Sequence, residues 1–477
     1  MKNKIISSFI WRLLERYSSQ GVNFIVSIIL ARKLGPEAYG IITLATVFIA
    51  ILQVFVEKGF GTALVQKKEA DDCDFSSVFF FNLCVCIILY CILFLVAPVI
   101  ASYYGLYELT SIIRALGLIL ITSGLKNVQQ AYVSRNLLFK KFFFSTTIAT
   151  FCGGFVGIYM AYHGFGAWAL VVQTLLSELA GTLVLWITVE WRPKLLFSWD
   201  RLLVLISFGW KLLVSSLIDT VYNKLRDLII GKRYTTDDLA FYNKGNQLTS
   251  VLVINICTAI DSVLFPTIAK VQDDKERVKD LTRKSIQLST FVIMPMMVGV
   301  AVCAEPIIRL LLTETWVPCV PYLRIACVSY AVYMIHTANL NAITAIGRSD
   351  VFLKLEIIKK AIGIITIALT INYGPLVLAC SGLVATFASL FVNCYPNKRL
   401  LAYGFLEQMK DISPSIVAAC LMGCIVSSVA LLNLSDIVML IIQIPLGIVS
   451  YIVISKAFKI WSLDYIFEII RRKKNND

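Results

Sequence analysis

The sequence predicts an all-α polytopic membrane protein of about fourteen transmembrane helices, arranged as two six-helix lobes in parallel repeat with two further helices at the C-terminus. Three observations predict it. Of 477 residues, 58% are hydrophobic and 16% charged, and the mean hydropathy of +0.78 lies well outside the range of soluble domains. Apolar runs of about 20 residues, the length that crosses roughly 30 Å of hydrocarbon as a helix, recur along nearly the whole chain. Finally, Phe9-Ile10-Trp11-Arg12-Leu13-Leu14 returns 199 residues later as Phe208-Gly209-Trp210-Lys211-Leu212-Leu213, the mark of a duplicated bundle.

The predicted spans fall, in order, at 8–30, 38–62, 76–100, 110–133, 142–162 and 165–189 in the first copy. Those at 203–229, 238–264, 286–306, 318–343, 353–371 and 375–396 make the second, and 413–433 and 436–457 remain as an unduplicated pair. The domain division that follows is 1–195, 196–400 and 401–477. Because the second copy begins after an even number of spans, both lobes enter the membrane in the same direction. The first apolar run is interrupted by Arg12, Glu15 and Arg16 and has no small-residue cleavage pattern after it, so this helix is expected in the mature protein.

Gly35-Pro36 ends the first span and opens the second, glycine freeing the turn and proline presetting φ. In the second copy Asp237-Asp238-Leu239-Ala240 stands where that turn is expected, so the repeat is not exact. The connector 267–285 carries Ile268, Val271, Val278, Leu281 and Leu288 at spacings of three and seven, which reads as an amphipathic surface helix. The stretch Trp461 to Phe467, followed by Arg471-Arg472-Lys473-Lys474, reads as a segment resting on an anionic leaflet. No connector exceeds about 20 residues, leaving no room for a soluble catalytic domain.

The net charge is +14, yet its distribution argues for membrane topology and against nucleic acid. Sorted by connector, 27 Lys and Arg fall on the side of the N-terminus and five on the other, which predicts that both termini are cytoplasmic. The 13 cysteines are scattered, with no CxxC pair and only two histidines, so no metal, haem or disulfide framework is expected. Cys420 and Cys424, four apart on one helix, read as buried packing residues. Asp72-Cys73-Asp74 looks like a metal-clamping DxD, but it stands in a short basic loop and reads as solvated. No P-loop is present.

Twelve Lys and Arg lie in or near spans: Arg12, Arg16, Lys58, Arg114, Lys126, Lys211, Lys224, Arg226, Lys244, Arg324, Lys359 and Lys360. The acidic residues there are fewer, namely Glu15, Glu57, Glu178, Asp219, Asp227, Asp261 and Glu356. Charge inside a bilayer is costly and implies a wet cavity or a partner. The reading places a cationic cavity on the first and seventh spans, with Arg12, Arg16, Gln20, Lys211, Asn223, Lys224 and Arg226 as substrate-binding candidates. The alternative is structural pairing such as Arg12 with Glu15. Lys58, Lys126, Lys359 and Lys360 read as helix-end residues that snorkel; Arg114, Arg324 and His336 stand singly and are open to either role. Glu15, Asp219 and Glu356 are the candidates for a coupling proton or sodium ion. No catalytic residues, metal or cofactor are expected.

Several segments then resemble one family. Leu30-Ala31-Arg32-Lys33-Leu34-Gly35-Pro36-Glu37-Ala38-Tyr39-Gly40, Gly59-Phe60-Gly61 with Val65-Gln66-Lys67, Phe81-Asn82, Leu137-Leu138-Phe139-Lys140-Lys141, Gly164-Phe165-Gly166-Ala167-Trp168-Ala169-Leu170, Phe241-Tyr242-Asn243-Lys244 and Phe265-Pro266 occur in order. Over roughly residues 5–400 the chain resembles polysaccharide flippases of the multidrug/oligosaccharidyl-lipid/polysaccharide exporter superfamily, in the capsular, colanic and teichuronic subgroup. That resemblance implies a twelve-helix transport core in a plasma or inner membrane, no enzymatic activity, and a cargo of oligosaccharide on undecaprenyl pyrophosphate. O-antigen, capsule or exopolysaccharide export is the implied pathway, with a polysaccharide polymerase and a chain-length regulator as partners. Lipid II flipping, small-molecule export by a relative of the same superfamily, and a membrane polymerase or glycosyltransferase are the alternatives.

Overall fold

The computed structural model describes residues 2–57, 64, 67, 70–432 and 434–476. Gly59-Phe60-Gly61, Val65-Gln66, Lys58 and Lys68 lie outside the described residues, as do the side chains of residues 2–9, Leu13, Phe208, 469–470 and 472–476. Sixteen α-helices and no strands make up the described chain: α1 (Lys2–Glu57), α2 (Asp72–Tyr104), α3 (Glu108–Arg135), α4 (Phe139–Tyr162), α5 (Trp168–Thr188), α6 (Trp199–Arg233), α7 (Thr236–Lys270), α8 (Lys275–Val302), α9 (Ala304–Leu311), α10 (Val320–Ala331), α11 (Tyr333–Ala345), α12 (Ser349–Thr370), α13 (Pro375–Leu400), α14 (Phe405–Ser428), α15 (Asp436–Ala457) and α16 (Trp461–Asn476).

Eleven of these segments are long and apolar enough to cross a membrane, and α6, bent by 47° around residue 208, makes a twelfth. The run α1 contains two spans, because Gly35 leaves the helical region at φ 73° and Pro36 restarts the helix. With α12, whose Asp350, Lys354, Glu356, Lys359 and Lys360 make it less apolar, helix occupies most of the described residues of each of the fourteen predicted spans; 58–62 lie outside the described residues, and the spans 286–306 and 318–343 are interrupted at Cys303 and Val332. The protein is a multi-pass membrane protein.

Its contacts group into two compact units, Met1–Ala240 and Phe241–Asp477. In the first, the turn of α1 is held by Tyr39, whose hydroxyl donates to the Ser27 carbonyl at 3.1 Å. Gly40 permits a close approach: a β-carbon there would stand 2.0 Å from the Thr236 carbonyl oxygen at the start of α7. The connector from α5 to α6 is anchored to α2. Ser76 and Ser77 hydroxyls accept the backbone N–H groups of Lys194 at 3.0 Å and Ser198 at 2.9 Å, and Trp191 is buried against Phe75 and Phe79.

In the second unit α14 and α15 are bound into the bundle. Gln408 on α14 exchanges hydrogen bonds with Asn339 on α11 at 2.8 and 2.9 Å, and Asn397 on α13 donates to Asn339 at 2.6 Å. Asp411 accepts from Arg283 on α8 at 2.7 Å and from Tyr403 at 2.8 Å. Tyr451 on α15 donates to the Phe291 carbonyl at 2.9 Å.

The duplication is visible as repeated devices. Asp71 caps α2 by accepting from the Asp74 N–H at 3.0 Å, and Asp274 caps α8 by accepting from the Arg277 N–H at 3.1 Å. Arg114 on α3 donates from Nε to the Phe94 carbonyl of α2 at 3.2 Å; Arg324 on α10 donates to the Ala301 carbonyl of α8, also at 3.2 Å. Where the first copy turns on Gly35-Pro36, the second uses a capping box. Thr235 accepts from the Asp238 N–H at 3.1 Å and Asp238 accepts from the Thr235 N–H at 3.2 Å.

Two expectations are corrected. Residues 267–285 do not form a separate surface helix: α7 runs on to Lys270 and α8 begins at Lys275, and Ile268 and Val278 are buried in one apolar cluster with Ile335 and Tyr403. The periodicity belonged to the extended ends of two spans. Cys420 and Cys424 are exposed on α14, not buried; all 13 cysteines are free thiols.

Gly40→Val is expected to abolish recovery of folded protein, since its side chain collides with backbone. Gly35→Ala meets open space and is expected to cost about 1–3 kcal/mol, because φ 73° with ψ 176° is a backbone region kept almost entirely to glycine. Size-exclusion profiles and melting curves of the detergent-solubilised variants check the order.

Candidate functional site

The cationic residues of the first span are built against α4. Arg12 pairs with Glu15 at 2.9 Å, so the structural alternative raised from sequence is present, and its guanidinium also lies 5.5 Å and 5.6 Å from the rings of Phe142 and Phe139. It still keeps 54% of its side chain exposed. Trp11 packs on Phe143, and Ser19 meets the Thr150 hydroxyl at 3.4 Å. Arg16 and Gln20 are half-buried further along. One flank of the helix is therefore structural while Arg12 still offers donors outward.

On α6, Lys211 and Asn223 are exposed and Asp219 is half-buried. Lys224 pairs with the buried Asp227 at 3.1 Å, a local i,i+3 bridge. Arg226 differs from the rest: its Nε and Nη2 are buried and have no hydrogen-bond partner among the described residues. Those two atoms form the side-on edge of the guanidinium, which matches two oxygens of a phosphate or carboxylate. A buried donor left unpaired costs about 1–3 kcal/mol, more when charged, so this edge is set for an anionic acceptor.

In the second unit Glu356 sits 2.5 Å from Lys359 on the same helix. The structure thus joins Arg12 with Glu15, Lys224 with Asp227, and Glu356 with Lys359, while it leaves Lys211 and Asn223 open.

Sequence reasoning misplaced two lysines. Lys126 and Lys359 do not snorkel. Lys126 bridges from α3 to Glu178 on α5, and Lys359 serves Glu356. In the second copy the corresponding position on α11 is His336, whose Nδ1 lies 3.2 Å from the Asn393 amide of α13. A basic group on the fourth span of each copy, aimed at a polar group on the sixth, is a signal that alignment of the two halves carries.

Asp72-Cys73-Asp74 is not a solvated loop but the first turn of α2. Asp72 pairs with Lys194 at 2.5 Å, Asp74 is buried and pairs with Lys67 at 2.6 Å, and Asp71 pairs with Arg201 at 2.5 Å. The Arg201 guanidinium holds the Asp71 carboxyl down at about 2. Being depressed, this carboxyl keeps its pairing at any pH well above that value and loses it only as pH falls toward 2. Each carboxylate here already serves a cation, and none is offered to a metal.

A family model described as polysaccharide biosynthesis protein matches residues 29–321, more than half of the chain. The succinoglycan biosynthesis transport protein ExoT of Rhizobium meliloti (strain 1021) is 25% identical over 417 residues, which cover 87% of this chain and 84% of that protein. The lipopolysaccharide biosynthesis protein WzxC of Escherichia coli (strain K12) is 22% identical over 365 residues, covering 75% and 73%. Among solved structures, the lipid II flippase MurJ in an inward closed conformation superposes with a TM-score of 0.75 at 15% identity, over 96% of this chain and 99% of that one. At that identity the likeness is one of fold.

Lys126→Ala and Glu178→Ala are each expected to lower the melting temperature by several degrees, because each strands a partner inside the bundle. The double variant is expected to lose less than the sum; melting of the four proteins in detergent completes the cycle.

Proposed function

We propose, from the premise that this chain belongs to the polysaccharide biosynthesis protein family, that it flips lipid-linked oligosaccharide units across the plasma membrane for export of a cell-surface polysaccharide. The family match carries this reading. The names of its relatives, which are transport and polysaccharide biosynthesis proteins, agree with it, and so does a fold shared with a flippase. The protein is a transporter and not an enzyme, in line with relatives that are transport and polysaccharide biosynthesis proteins, and the carboxylates of its DxD are paired with Lys67 and Lys194.

The chemistry of the helices points to an acidic cargo. Arg226 presents an unpaired buried edge, Arg12 retains exposure beside its bridge, and Lys211 stands exposed. Two closely linked phosphates, as in undecaprenyl pyrophosphate, match such donors, and in a low-dielectric cleft the attraction is stronger than in water. Arg12, Arg16, Gln20, Lys211, Asn223, Lys224 and Arg226 hold the headgroup in this reading, while the isoprenoid tail stays in lipid and alternating access delivers the sugar outward. The charge asymmetry of the connectors puts both termini in the cytoplasm. A proton or sodium gradient supplies the work, no cofactor takes part, and a polymerase and chain-length regulator receive the product.

The test is reconstitution. Liposomes carrying the purified protein and an undecaprenyl-pyrophosphate-linked oligosaccharide are scored for access of an impermeant sugar-modifying reagent. Arg226→Ala and Lys211→Ala are each expected to slow flipping about tenfold or more, the loss of roughly one charge-assisted hydrogen bond. Wild-type rates in both variants, or no flipping by the parent protein, would refute the assignment.

A further inference from the structure

Five acidic side chains inside the predicted spans carry a counter-charge: Glu15, Glu178, Asp227, Glu305 and Glu356 each lie within 3.1 Å of a Lys or Arg nitrogen. Asp261 is held differently. It sits half-buried in the last turn of the predicted span 238–264 on α7, and its Oδ1 accepts from the Asn341 side-chain amide of α11 at 2.7 Å. Among the described residues it makes no ion pair. The titratable groups near it are Cys257, one turn back on the same helix, and Tyr333 on α11, neither of which brings a positive charge. Toward the end of α7, Leu264 and Ile268 are buried with Ile335, Ala338 and Ala342 of α11.

We propose that Asp261 and Asn341 form a proton-binding site, with the proton on Asp261 Oδ2. An ionised carboxylate facing an amide, with apolar helix below it and no cation beside it, is unfavourable, and a carboxyl group answers that by binding a proton. The Asn341 N–H occupies Oδ1, an acceptor in both protonation states, so the bond survives titration and Oδ2 is the oxygen that changes. The same geometry disfavours sodium. A hard cation needs several oxygen ligands, whereas Asn341 turns its NH₂ group, a donor, toward the carboxylate. Water reaching the carboxyl in one conformation of the transporter releases the proton, and drying in the other restores it. The use of this proton for transport rests on the flippase reading; its binding does not.

The experiment is pH-dependent modification of the purified full-length protein by an apolar carbodiimide, which attacks protonated carboxyls in membranes, with the modified residue located by mass spectrometry. Modification of Asp261 is expected to fall about tenfold or more between pH 6 and pH 9, to be the same in sodium and potassium buffers, and to be absent in Asp261→Asn, which keeps the shape and the hydrogen bond. Asn341→Leu is expected to shift the profile while the protein remains monodisperse. No modification of Asp261, a pH-independent level, or protection by sodium at constant pH would overturn the proposal. Because this measurement needs no cargo, it succeeds or fails independently of the flipping assay.

Discussion

A bilayer offers a side-chain charge or a backbone amide no water, and this chain answers that constraint mainly by tying polar groups inside its spans to others on the same helix or a neighbouring one. The backbone is satisfied by making everything helix. Even the turn at Gly35 is bridged by the Tyr39 hydroxyl reaching the Ser27 carbonyl. Arginines near span ends donate to the carbonyls of adjacent helices, as Arg114 does to Phe94 and Arg324 to Ala301. Against that background an unpaired group stands out, and Arg226 is the clearest. In the flippase reading proposed above, this edge is the donor pair that meets an anionic cargo.

The two copies meet the same demands with different residues, which shows how a duplicated bundle diverges. The first copy turns on a glycine in the left-handed region followed by proline; the second reaches the same place with the Thr235–Asp238 capping box. Lys126 and Glu178 form an ion pair where His336 and Asn393 form a hydrogen bond. The contact is retained while its charge is lost. The C-terminal pair α14 and α15 has no counterpart in the repeat, yet the Gln408–Asn339–Asn397 network and the Arg283–Asp411 bridge fasten it to the second unit. Buried amides that satisfy one another specify one arrangement of helices, because any slip leaves them unpaired.

Much of the fold was legible because the bilayer makes span length a matter of counting apolar residues, and the described residues of the fourteen runs are mostly helical. The Gly35-Pro36 turn was legible for the same kind of local reason. Partnerships between helices were not. Lys126 finds Glu178 52 residues away and Lys194 finds Asp72 across 122, and nothing in the local pattern of either lysine distinguishes a cross-helix bridge from snorkelling. The period of Ile268, Val271 and Val278 was read correctly as amphipathic but assigned to the wrong surface, because apolar burial against α11 and α13 leaves the same pattern as burial in a leaflet. For the candidate site, the local pairs Arg12–Glu15 and Lys224–Asp227 follow from spacing. The singular state of Arg226 does not, since it depends on what fails to lie beside it.

Pairing also sorts the charges by the work they can do. Glu15, Asp227 and Glu356 each have a basic partner three residues away on the same helix, so helix motion carries both members together and their interaction changes little during a conformational cycle. Groups whose partners lie on other helices are the ones a rocking lobe perturbs. On the two proposals made above, Asp261, held across α7 and α11 by a single amide, answers hydration by exchanging a proton, and Arg226, with its unpaired edge, by exchanging an anion. In the reading proposed above, a carboxyl that gains charge when wetted and a guanidinium that sheds its ligand when wetted would supply the two halves of a coupled cycle, each responding to water.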